Sequence, residues 1–340
     1  MLNRCVTALL YLSGVLSLYH RIRNRKTLTV IMFHRVLDPQ DARWKTCDPD
    51  YTISVRLFEQ CLQLFVRHFA IVSLDDVLKA REGSTKLPPR ALLITFDDGW
   101  QDNFDYARPV LGRMGLPAVI FVVGEAVDRR TAYFQEQMVA AWRRGTLGAP
   151  EVNLMSQLAG VTPNPSDATD MKALRRLISA LEAVAPNDRR NILARFEAVL
   201  ADSERYNLST QELRDLRHAG IRVGAHGMSH TPLTRVSSVD TELQDVRSRL
   251  SSLLEESPDS ITALSCPHGK YDAPVIRSAL HNGFKLVFTS VPAINSTVST
   301  PSHLLARVGF EASYVADAND RLLAARLALH LFRRQIVKLS

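Results

Sequence analysis

The chain has 340 residues, 46% of them hydrophobic and 23% charged, enough for a sizeable core in one large domain or two ordinary ones. Its formal charge of +7 is concentrated at the ends, in Arg4, Arg21, Arg23, Arg25 and Lys26 and in Arg321, Arg326, Arg333, Arg334 and Lys338. That placement argues against a nucleic-acid partner, which calls for a basic stripe interleaved with aromatics in the body of the fold. Four scattered cysteines, Cys5, Cys47, Cys61 and Cys266, exclude a disulfide framework and fit lone thiols in a reducing compartment.

In chain order, the first predicted element is the apolar run Cys5 to Tyr19, followed by "HRIRNRK". It is shorter than the roughly 20 residues of a spanning helix. No A-x-A-like cleavage site follows it. The basic flank on its C-terminal side points to a shallow or interfacial anchor, with the body on the cytoplasmic side of the inner membrane. The alternatives are an ordinary helix packed on the domain and a body on the periplasmic face. Apolar strand-like runs then appear at 28–33, 70–74, 91–96, 118–123, 221–226, 261–267, 286–290 and 303–310. Helical patterns lie between them, as at 55–69, 209–220 and 273–283, and Gly83, Gly115, Gly220 and Gly283 read as stops. Continuous apolar runs indicate strands buried on both faces. The alternation predicts a closed or nearly closed (β/α) barrel, with an open doubly wound sheet as second choice.

The rhythm breaks at about 128–208, where "YFQEQMVAAWRRG" and "MKALRRLISALEAVA" predict a helical insertion. It leaves the rim on which strands end, either as a lid or substrate platform or as a packing appendage. The expected organisation is a membrane-associating segment over 1–27, a barrel over 28–315 and a basic amphipathic helix over 316–340.

Strand ends carry the chemistry. Asp97 and Asp98 stand side by side after "ALLITF". His34 closes the 28–33 run, His226 closes the 221–226 run, His230 follows four residues later, and His268 follows the 261–267 run. In parallel α/β folds such groups share one rim. The H-x-x-x-H spacing predicts two imidazoles on one face of a helical turn. Two imidazoles and one carboxylate can hold a divalent ion with open positions, and a second carboxylate can serve as base for water. The adjacent aspartates thus read as one ligand and one base.

These residues resemble motifs of the polysaccharide deacetylase family, also called the NodB-homology or carbohydrate esterase 4 group. "TFDDGW" (95–100), "AHGMSHTPL" (225–233) and "CPHGKYD" (266–272) resemble its first three motifs, and "VIMFHRVLD" (30–38) resembles the opening strand of one subgroup. The likeness covers roughly residues 28 to 310. It implies a distorted (β/α)7 barrel, a divalent metal, typically zinc, on Asp98, His226 and His230, and Asp97 as base. The implied reaction hydrolyses an N-acyl group, usually acetyl, from an amino sugar in a polysaccharide or glycolipid precursor. The implied substrate side includes Pro267, Gly269 and Tyr271, with Trp100 either as a sugar-stacking platform or packed under its loop.

Departures from the family pattern are specific. The third motif has no Arg, no Asp-Trp follows, and the final Leu-x-His is replaced by a stretch containing Arg307. Arg307 is then expected either to pair with Asp97 and orient it or to form an ordinary rim salt bridge, and the proton donor falls to His34, with His268 second. These losses match a subgroup associated with exopolysaccharide and glycolipid assembly. The alternatives are a deacylase of a small lipid- or nucleotide-linked sugar and a silent carbohydrate-binding relative.

Overall fold

The computed structural model describes residues 4–162, 170–298 and 302–339. Two compact units divide the chain. The first comprises the residues up to Asp38, Asp50–Asp128 and Asn207 onward; the second comprises Pro39–Pro49 and Arg129–Tyr206.

The first unit is built on seven parallel strands: β1 (Thr27–Phe33), β2 (Ala91–Phe96), β3 (Val119–Val122), β4 (Arg222–Ala225), β5 (Ala263–Ser265), β6 (Leu286–Phe288) and β7 (Leu304–Leu305). They pair in that order. Every residue of β2 is buried, as an apolar run covered on both faces requires. The two ends of the sheet meet. Val308 N donates to Val30 O at 2.8 Å, and Met32 N donates to Val308 O at 3.0 Å. An open sheet is therefore excluded, and the fold is a distorted seven-stranded barrel.

The seam explains why residues 303–310 do not form one strand. The buried Asn295 side chain occupies the gap, donating to Leu28 O (3.2 Å) and Ala306 O (2.9 Å) and accepting from Ala306 N (2.8 Å). Asn295 lies on a short strand, Ile294–Ser296, antiparallel to the start of β1. The run expected as a strand at 70–74 pairs with β2 only over Ala70–Ile71, because Ser73 caps a helix at Leu74–Arg81.

The C-terminal segment differs from expectation. Residues 316–339 are not one helix. Asp317 accepts from Asn319 N and Arg321 N in a tight turn, a helix runs only over Ala324–Phe332, and Ile336–Val337 pairs with Ile294–Asn295. Leu327, Ala328, Leu331 and Phe332 are buried in the main core, so the apolar face of this helix is already used. At the other end, helices Arg4–Leu12 and Val15–Arg23 meet at a 71° bend around Gly14, whose φ is 79°. Among the described residues, no single helix is long and apolar enough to cross a membrane.

The second unit holds helices Phe134–Arg144, Ala149–Leu158, Met171–Ala183, Pro186–Ala194 and Glu197–Leu200. Met138, Val152, Met155, Leu174, Leu177 and Leu181 form its own core. The segment Pro39–Pro49 belongs to it through Arg43, which donates to Arg205 O at 2.9 Å, and Asp48, which accepts from Arg175 at 2.7 Å. Most of the "VTPNPSDATD" linker lies outside the described residues.

Candidate active site

Two successive residues of an extended strand point to opposite faces. The chain avoids this at the end of β2. Asp98 and Gly99 both take the left-handed conformation, with φ of 76° and 77°. Asp97 N still continues the ladder to Phe33 O at 3.0 Å. The turn after it lets both carboxylates serve one site. Gly99 is required twice over, since a Cβ there would lie 3.1 Å from Val122 Cγ1.

His226 follows β4. Its backbone N donates to Val122 O, and its ring Nδ1 lies 2.9 Å from Ser265 O, a carbonyl that can only accept. Nδ1 therefore carries a proton, and Nε2 is turned to Asp98 Oδ1 at 3.2 Å. His230 Nε2 lies 3.3 Å from the same oxygen. The loop between the two histidines is not the expected helical turn. Gly227 (φ 73°) and His230 (φ 58°) are left-handed, and Glu242 accepts from Met228 N, Ser229 N and Ser229 Oγ at 2.8 to 2.9 Å. A carboxylate from a following helix thus fixes the loop, which motif spacing alone does not reveal.

Ligand atoms of Asp98, His226 and His230 all lie within 4.8 Å of one another. One carboxylate and two imidazoles suit a divalent ion that accepts N and O ligands. Burial raises the Asp98 carboxyl, but hydrogen bonds from His226 and His230 overcome this and hold it well below the usual carboxylate range.

Asp97 faces a different partner. Arg307 Nη1 donates to Asp97 Oδ1 at 2.7 Å and Nη2 to Oδ2 at 2.8 Å, a bidentate pair with both side chains buried. Arg307 is itself held by Thr289 O (2.9 Å) and Ser265 Oγ (2.8 Å). Ser265 Oγ donates to Asp97 Oδ2 at 3.3 Å. Burial pushes the Asp97 carboxyl up, but the charges of Arg307 and His226 outweigh it and leave the group ionised. Ser265 was not singled out from the sequence; its one signal was its place at the end of β5, on the shared rim.

His34 sits at the end of β1, within electrostatic reach of Asp97 and Asp98. Its carbonyl accepts from Asn103 Nδ2, and its ring meets Tyr51 edge-on at 4.9 Å. Among the described residues its ring nitrogens have no hydrogen-bond partner. His268 differs. Its Nε2 lies 3.1 Å from His230 O, and burial, followed by the neighbouring imidazoles, pushes its pKa down to about 3. It braces the His230 turn.

Trp100 is not an open sugar platform. The side chain is 4% exposed, and its Nε1 donates to Asp98 Oδ2 at 2.9 Å. The buried Arg35 guanidinium covers the ring at 4.7 Å and bonds Asp102 Oδ2 through Nε at 2.8 Å. Asp102, Arg35 and Trp100 thus orient a candidate metal ligand. In the third motif, Pro267 is buried, Gly269 (φ 66°) has Ser290 Oγ 2.6 Å from where a Cβ would lie, and Tyr271 packs half-buried on the core. These residues shape the loop. Asp272 caps the next helix by accepting from Val275 N.

Replacing Trp100 by Phe keeps most of the packed ring but removes the donor to Asp98 Oδ2. Metal affinity is expected to fall about 10- to 100-fold, as for other outer hydrogen bonds to metal ligands. A chelator-competition titration measures it, and unchanged affinity would deny Trp100 this role.

Comparison with known proteins bears on the whole constellation. A stretch of 87 residues is 34% identical to YxkH of Bacillus subtilis (strain 168), whose name places it with polysaccharide deacetylases, and covers 25% of this chain and 31% of that protein. Another of 72 residues is 36% identical to the poly-beta-1,6-N-acetyl-D-glucosamine N-deacetylase of Escherichia coli (strain K12), covering 21% of this chain and 11% of that one. The matches thus span less than a third of these relatives' length. Among solved structures, the Streptococcus pyogenes deacetylase PplD in complex with acetate superposes with a TM-score of 0.57 at 15% identity, over 90% of this chain and 98% of that one. IcaB from Ammonifex degensii gives 0.55 at 17% identity, over 90% and 97%. The polysaccharide deacetylase sequence profile matches residues 84–162 and 183–287. The matched residues include Asp97, Asp98, His226, His230 and His268, but neither His34 nor Arg307. With more than half of its length matched by that profile and the same fold around its carboxylates, the chain belongs to the polysaccharide deacetylase family.

Proposed function

We propose that this chain is a metal-dependent hydrolase that removes N-acetyl groups from the amino sugars of a glycan. The observation that carries the reading is the ionised, Arg307-paired Asp97 beside the Asp98, His226 and His230 donor set. Those three residues would hold a divalent ion, of which zinc best suits the donors. A bound ion there supplies Lewis acidity to the amide carbonyl and to water. Asp97 accepts the proton of the attacking water, and Arg307 keeps its carboxylate in one orientation through both oxygens. His34 returns a proton to the sugar nitrogen as the C–N bond breaks. Water and amide thereby become acetate and free amine. The E. coli relative's name supports a β-1,6-linked N-acetylglucosamine polymer as the first substrate to try.

The test is acetate release from β-1,6-linked N-acetylglucosamine oligomers by the full chain, with zinc and after chelation. Release that needs the metal and vanishes in Asp98→Ala, together with the bound ion, is the expected result. A chain that binds the oligomer yet releases no acetate with any divalent ion would be a silent carbohydrate-binding relative.

A further inference from the structure

The first helical hairpin buries one side and exposes the other. Leu16, His20 and Asn24 are buried against the body. The His20 ring stacks on Phe332 at 3.9 Å, and Asn24 Nδ2 donates to Phe332 O at 3.0 Å. The outer side, where a surface helix usually carries charge, is instead apolar. Leu9, Leu12, Leu18 and Ile22 are exposed by 67%, 81%, 58% and 70%, and Val6, Val15 and Tyr19 lie beside them in the chain. Among the described residues, seven of the thirteen exposed large apolar ones fall in these two helices. Such clustering marks an interaction surface rather than scattered surface residues.

The hairpin's own charge has one sign. No Asp or Glu occurs before Asp38. Arg21, Arg25 and Lys26 are exposed at the end of the hairpin. Arg67 lies on the neighbouring helix Val55–His68, whose His68 ring is 3.4 Å from Tyr11 Oη. His68 registers the resulting field: burial first, then Arg67, Arg21 and Arg90, push its pKa down to about 4. A second copy docking on this face would bring the same cations together without a counter-charge. An anionic lipid surface offers both a place for the apolar stripe and phosphates for the rim.

We propose that the hairpin is a monotopic docking surface for an anionic phospholipid bilayer. Each helix has nine residues, about 14 Å at 1.5 Å per residue, and both are held to the body by one face. They lie in the interface rather than cross it. The hairpin leads into β1 at Thr27, at the strand end opposite the rim that carries Asp97 and Asp98. Docking therefore leaves the catalytic mouth to water and to a hydrophilic glycan. The inference does not depend on the deacetylase reading, because its readout is binding alone.

The test is co-sedimentation of the full chain with phosphatidylcholine vesicles, with and without about one-third phosphatidylglycerol, at roughly 0.1 M salt. The chain is expected to pellet with the anionic vesicles and to stay largely in solution with the neutral ones. The triple substitution Leu12→Ser, Leu18→Ser, Ile22→Ser alters only exposed groups and should lower the partition coefficient at least about tenfold. Replacing Arg21, Arg25 and Lys26 by Ala should lower it roughly a hundredfold. Both variants should retain the circular dichroism melt of the parent. A parent that ignores anionic vesicles, or variants that bind as the parent does, would overturn the proposal. So would a lipid-independent dimer that the apolar substitutions dissolve.

Discussion

Asp97→Asn is expected to keep its metal and lose kcat by about two to four decades. The amide is nearly isosteric with the carboxylate and can still accept from Arg307, so the geometry should survive. What it cannot do is take a proton from water. Its stability should also drop, because the Arg307 guanidinium is left buried without a counter-charge. Breaking one side of a buried pair costs about 3–5 kcal/mol, whereas replacing both partners with apolar groups can be close to neutral. Asp97→Leu with Arg307→Met should therefore melt closer to the parent than Arg307→Met alone, while remaining inactive. The pH sign follows from the depressed pKa of Asp97. A group whose folded value lies below its unfolded one, about 3.9 for Asp, adds stability above that pH. The stability is lost as pH falls through the folded value. Asp97→Asn should flatten this acid limb of a stability curve. Metal content, kcat at saturating metal and melting temperature separate the effects. An Asp97→Asn protein without metal, beside an Asp98→Ala protein that keeps it, would reverse the two roles.

Much of this site was legible because buried strands write themselves as continuous apolar runs, and their ends mark the rim. Asp97, Asp98, His226 and His268 each stand within three residues of the end of β2, β4 or β5. Partnerships across the barrel were harder. Arg307 and Asp97 are 210 residues apart, and only closure of the barrel at Val308 brings their strands together. Family pattern suggested the pair through a missing arginine elsewhere, while the geometry shows its bidentate form. The H-x-x-x-H spacing was misread as helical because spacing does not carry backbone sign; Gly227 and a left-handed His230 decide it. Trp100 was ambiguous for a similar reason. An indole beside two carboxylates suits sugar stacking or hydrogen bonding equally well, and the buried Arg35 that covers its face comes from another strand. The C-terminal helix looked free because amphipathicity says that a face is apolar, not what covers it. Here the barrel core covers it.

The second large effect is expected at His34. The departing amine must receive a proton, since an amide nitrogen expelled as an anion is too poor a leaving group. Arg307 cannot supply it: its guanidinium stays charged at any working pH and is already spent on Asp97, Thr289 and Ser265. His226 and His230 face Asp98. His268 is engaged with the His230 carbonyl and, with a pKa near 3, carries little proton at neutral pH. His34 stays available, with ring nitrogens that have no hydrogen-bond partner among the described residues. Burial lowers its pKa, against the opposing pull of Asp98 and Asp97. A donor works in its protonated form, so rate is lost as pH rises through that pKa. The lowered value places this alkaline limb on the acid side of an ordinary histidine, about 6.5. His34→Ala should keep fold and metal, lose kcat by about 10²- to 10⁴-fold, and show no such limb. His34→Gln, which retains a hydrogen bond but cannot titrate, should be equally flat. A variant whose profile keeps the limb at the parental pH would take His34 out of the proton transfer and return that role to Asp97, acting first as base and then as acid.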